Sequence, residues 1–130
     1  MLKALFLIGS LLPAVGGKIL QPPAKYQGDN AVQVEFLSIN DVAKKCRSLN
    51  GDKGAIACAS VELMTLPPAC DRGGAYAELV CKTLADKSGY VTFPGTLPNP
   101  CSFVNGGTYA DLMCHELGHV NGWHPTHPKR

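Results

Sequence analysis

Between residues 31 and 37 the chain alternates, with Val32, Val34 and Phe36 set against Gln33 and Glu35, which is the period-two pattern of a half-buried strand. The period then lengthens. Val42, Cys46 and Leu49 recur at helical spacing, with Asn40 placed as a helix cap and Gly51 as a stop. The apolar run 55–64 predicts a strand or hairpin arm, although its alanines also permit a helix. Residues 71–85 carry Tyr76, Leu79, Val80 and Leu84 on one side of a helix, and residues 90–93 supply a last strand. Proline places loops at Pro67-Pro68 and over 94–100, and the second of these leads toward the final helix. That helix has the clearest pattern in the chain. Tyr109, Leu112, Met113, Leu117 and Val120 form a core-facing stripe, with Asn105-Gly106-Gly107-Thr108 opening the helix and Asn121-Gly122 closing it. The elements predict an α+β fold, a small domain with a short β-sheet and a C-terminal helix.

The polar positions of that last helix carry the chemistry. His115-Glu116-Leu117-Gly118-His119 fits the H-E-x-x-H zinc motif. At about 3.6 residues per turn, His115 and His119 share a face and can reach one ion, whereas Glu116 lies about 100° further round. A carboxylate there suits a general base acting on water better than a ligand. A catalytic zinc commonly has three protein ligands and one open position. The third ligand is therefore sought in the tail Trp123-His124-Pro125-Thr126-His127-Pro128, where His127 is favoured over His124 because it has more chain with which to fold back past Trp123. Gly122 matches the glycine of the metzincin pattern H-E-x-x-H-x-x-G-x-x-H, but the last histidine of that pattern falls on Pro125, and no methionine follows Met113.

The stretch from Leu112 to Trp123 resembles the H-E-L-G-H-x-N-G-W signature of small exported bacterial or phage-borne proteins of zincin type. The likeness is densest from Leu97 to Pro128, about a quarter of the chain. It implies a zinc metallopeptidase with His115 and His119 as ligands and Glu116 as catalytic base, and it leaves the third ligand open. One Zn²⁺ per chain and a peptide or protein substrate are the corresponding expectations. Tyr109, Tyr90 and Asn121 are the available groups for stabilising an oxyanion. Asp111, one turn before His115, is a candidate for orienting an imidazole.

The amino end bears on the compartment. Met1-Leu2-Lys3, then an apolar run to Leu12 and the breaker Pro13, reads as a signal peptide over 1–17, cleaved after Gly16 or Gly17, with a single zincin-like domain over 18–130. The run is about half the roughly 20 residues that a membrane span needs, so export to the periplasm or medium without stable membrane insertion is expected. Six cysteines in such a chain argue for up to three disulfides. Short intervening loops favour Cys46 with Cys58, Cys70 with Cys81 and Cys101 with Cys114. A cysteine-rich zinc site would be the rival, but no C-x-x-C pair exists. A net charge of +2 excludes the basic excess of a nucleic-acid binder, and nothing in the chain sets an oligomeric state. Only eight residues follow Gly122, so any cleft must come from upstream chain. That keeps an alternative open: a non-catalytic zinc-binding or disulfide-stabilised secreted interaction protein.

Overall fold

The computed structural model describes residues 14–15, 18–50 and 55–129. The proposed signal peptide, its cleavage point and the Gly51 stop lie largely or wholly outside these residues. What is described of the amino end is a short antiparallel pair, β1 (Ala14–Val15) with β2 (Lys18–Ile19).

The main sheet takes its order from the alternating strand. That strand, β3 (Val32–Phe36), pairs in parallel with β5 (Leu63–Leu66) and antiparallel with β6 (Gly89–Val91). A short outer strand, β4 (Cys58–Ala59), forms an antiparallel hairpin with β5, so the order is β4-β5-β3-β6. The ambiguous run 55–64 is thus a hairpin arm, not a helix. A parallel pair needs a crossover connection, and α1 (Ile39–Asn50) forms much of it.

Register decides which face each side chain joins. Val32 stands opposite Val91 and Val34 opposite Met64, and all four are buried on one face with Leu66. On that face lie α2 (Ala75–Leu84), through Tyr76, Ala77 and Val80, and α3 (Thr108–Val120), through Leu112, Met113 and Leu117. The opposite face carries Gln33, Glu35 and Thr65 and is covered by α1, whose Lys45 pairs with Glu35 and whose Val42 and Cys46 form a second small core with Ala55 and Cys58. The layers are therefore α1, sheet, then α2 with α3.

Two local details differ from expectation. Asn40 lies inside α1, and the cap is Ser38, whose Oγ accepts the Asp41 N–H at 3.2 Å. The second helix starts at Ala75 rather than Asp71, because residues 69–71 form a separate 3₁₀ turn. The three disulfides are Cys46–Cys58, Cys70–Cys81 and Cys101–Cys114, and each ties a helix to a neighbouring loop or strand. They suit an oxidising, extracellular-type environment. No helix among the described residues is long and apolar enough to cross a membrane.

Candidate metal centre

Helix α3 is buried along most of its length, including both His115 and Glu116, each only 4% exposed. Polar side chains at such depth need partners. The Nδ1 of His115 lies 2.7 Å from the carbonyl oxygen of Leu20, and the Nδ1 of His119 lies 2.8 Å from that of Trp123. A carbonyl can only accept, so both Nδ1 atoms carry the proton. Each neutral ring then presents a bare lone pair at Nε2.

Those lone pairs converge. The two Nε2 atoms are 3.3 Å apart, and the Nε2 of His127 lies 3.0 Å from that of His119. Between His115 and His119 no proton is left to make a hydrogen bond, so the contact is repulsive unless a cation sits among the rings. With metal–nitrogen bonds of about 2.0–2.1 Å, tetrahedral geometry puts ligand nitrogens about 3.3–3.4 Å apart. The donor set therefore fits a metal ion, and His115, His119 and His127 form the cluster that could hold one. The identity of the metal is not set by three nitrogens alone.

Burial works in the same direction. It pushes His115 from its ordinary value to about 3, with the neighbouring His119 and His127 adding to the effect. His127 is lowered to about 4 and His119 is lowered as well, in both cases chiefly by burial. The rings are therefore held neutral, the form that binds metal.

The end of α3 delivers His127. Gly122 has φ +103°, Gly122 N–H bonds the His119 carbonyl at 3.1 Å, and Trp123 N–H bonds that of Gly118 at 2.8 Å, a Schellman closure that reverses the chain. Trp123 then lies under the imidazoles, stacked on His119 at 5.0 Å and edge-on to His115 and His127 at 5.2 and 4.9 Å. Its Nε1 donates to the Pro128 carbonyl at 2.8 Å, and a turn closed by His127 N–H to the His124 carbonyl at 2.8 Å completes the fold-back. His124 points elsewhere. It is exposed, and its Nδ1 is engaged by Thr126.

The other side of the site comes from residues 19–30, which sequence reasoning missed. Pro22 packs against Gly118 so closely that a Cβ there would sit 2.5 Å from the proline ring, while Leu20 supplies the carbonyl to His115. Asn121 donates to the Tyr26 carbonyl at 2.7 Å and accepts from Asn30, fastening this segment to the helix end. Asn99 holds it from behind, donating to Gln27 and Gly28 carbonyls and to Asp29. The 94–100 loop thus braces that segment through Asn99.

Several expected roles fall to other groups. The Nδ1 atoms of His115 and His119 are oriented by backbone carbonyls, not by Asp111, whose own carbonyl receives the Gln21 side chain. The Tyr109 hydroxyl is buried against the Pro67 carbonyl at 2.6 Å, and Asn121 is occupied as described. Tyr90 lies exposed on β6, at the edge of the sheet away from β4, whereas α3 packs against β4 and β5. None of the three is placed as an oxyanion donor. Glu116 is not among the three residues whose ligand atoms lie mutually close.

Fold and site together define a small, disulfide-stapled α+β domain with a three-histidine cluster suited to a metal ion. No protein-family model, curated protein or solved structure matches the chain.

Proposed function

We propose that the protein is an exported zinc-dependent hydrolase, a peptidase, in which His115, His119 and His127 hold one zinc ion and Glu116 is the general base. The observation that carries the metal part is the convergence of unprotonated Nε2 atoms, with Nδ1 protons committed to the Leu20 and Trp123 carbonyls. Three ligands leave a position open, as catalytic sites require. Zinc there supplies a Lewis acid that acidifies water and polarises a carbonyl. Glu116, adjacent in sequence to one ligand and outside the ligand set, takes a proton from water and returns it to the leaving amine.

A second reading has an observation of its own. Glu116 is only 4% exposed, a depth that suits a closed metal-holding site in a secreted interaction protein. Glu116→Gln separates the two. In the hydrolase the variant keeps zinc and loses turnover on a mixed-sequence quenched-fluorescent peptide pool by at least 100-fold. Stoichiometric zinc with no wild-type cleavage across such a pool supports the holder, and oxidised protein that takes up no zinc at neutral pH overturns both.

A further inference from the structure

Toward the start of α3 lies a cavity of about 200 Å³ with Ile19, Ile56, Tyr109 and Leu112 in its lining together with the more polar Arg72, Gly73 and Thr108. Its neighbourhood connects it to the site. Leu112 is one turn before Glu116 on α3, and Ile19 immediately precedes the residue whose carbonyl holds His115. Charges of both signs act on it. The N-termini of α2 and α3 meet where Gly74 and Gly107 touch, both at positive φ, and Tyr76 N–H bonds the Gly106 carbonyl at 3.0 Å. The positive ends of two helix dipoles therefore flank the end of the cavity at which Arg72 stands. Asp86 acts on Tyr109 more strongly than Arg72 and with the opposite sign, and its carboxylate accepts the Cys70 N–H at 3.1 Å, which leaves Arg72 as the cationic side chain in the cavity lining.

We propose that this cavity is a substrate subsite for a carboxylate carried on an apolar stem, with Arg72 as the anchoring residue. Apolar walls exclude water from the stem, and a guanidinium offers the planar paired donors that a carboxylate matches. A peptide supplies that chemistry in two ways, as the free C-terminus of an apolar residue or as a Glu side chain inside the chain. The inference rests on the hydrolase reading for its link to turnover, but the binding itself does not.

The test is an amide-proton NMR titration of the zinc-loaded Glu116→Gln protein with acetyl-Ala-Ala-Leu as free acid and as C-terminal amide, and with acetyl-Ala-Glu-Ala-amide. The expected result is shifts at Gly73, Thr108 and Leu112 and at least tenfold tighter binding of a carboxylate-bearing peptide than of the Leu amide. Preference for the Leu acid assigns the chain end, and preference for the Glu peptide assigns the side chain. Arg72→Gln removes the discrimination and Arg72→Lys restores part of it, with zinc content unchanged in both. Equal binding of all three peptides, or shifts confined to other surfaces, overturns the subsite. Acid-selective binding without wild-type cleavage leaves the subsite standing and removes the hydrolase reading, whereas cleavage without acid selectivity does the reverse.

Discussion

Gly118→Ala tests whether the two flanking segments hold the site as described. In an exposed helix this change stabilises by about 1 kcal/mol, since alanine is the better helix former. Here the sign reverses. The new Cβ would lie 2.5 and 2.8 Å from two atoms of Pro22 and 2.9 Å from Cε3 of Trp123. Both neighbours are rigid rings, so they must move as units, and overpacking of this kind costs about 1–3 kcal/mol. Subtracting the propensity gain leaves a net loss of up to about 2 kcal/mol. The displaced rings belong to the segments whose carbonyls orient the imidazoles, since Pro22 follows Leu20 by two residues and the Trp123 carbonyl holds His119. Loss of such outer contacts lowers metal affinity by about 10–100-fold. Urea unfolding of the disulfide-intact protein reads the first quantity as a lower midpoint at constant slope, and competition with a chelator reads the second. A variant that is more stable than wild type, with zinc affinity intact, would refute the packing argument.

His127→Ala is expected to weaken zinc binding strongly and His124→Ala to leave it nearly unchanged, because only His127 reaches the cluster; chelator competition on the two variants checks this, and equal losses would contradict it. Replacing both Cys101 and Cys114 by Ser opens a loop with a sequence separation of 13. The chain-entropy model puts the cost at about 3 kcal/mol, read by urea denaturation, and an unchanged midpoint would count against it. Acid should destabilise the metal-free protein. Buried His115 stays neutral down to about 3, whereas the unfolded chain takes up that proton near the ordinary value of 6.5. Unfolding therefore binds protons between those limits, and stability falls with falling pH by up to about 1.4 kcal/mol per unit from His115 alone. Urea midpoints at pH 7, 6 and 5 that do not decline would show the ring protonated in the folded state.

What was legible in the chain is what depends on period and spacing. Alternation around Val34 marked a strand, and the stripe from Tyr109 to Val120 marked the site helix, because side-chain period follows directly from backbone geometry. Neighbouring cysteines paired as their short loops favour. The part that stayed hidden is backbone chemistry. Every residue type has a carbonyl, so nothing in the letters marks Leu20 or Trp123 as the acceptors that fix the tautomers. Asp111 drew attention instead because its side chain advertises an acceptor. Arg72 escaped for a different reason: it lies in the linker before α2, and only the meeting of Gly74 with Gly107 brings that linker to the start of α3.

The short tail shows how few residues suffice to complete such a cluster when each is constrained. Gly122 adopts the left-handed conformation that lets Trp123 double back, and Gly118 lacks the Cβ that would keep the indole off the helix. Trp123 then secures two of the three histidines with its own polar atoms. Its carbonyl fixes His119, and its indole N–H fixes Pro128, the residue after His127. His127 itself takes φ +60°, a conformation uncommon for a residue with a side chain, held by the turn closed on the His124 carbonyl. His124 lies too near the reversal to reach the rings, since its backbone is the first corner of the turn that carries His127 inward. The residues Gly118, Asn121, Gly122 and Trp123 thus act on the site without touching a metal, and the geometry of the three imidazoles depends on them as much as on the histidines.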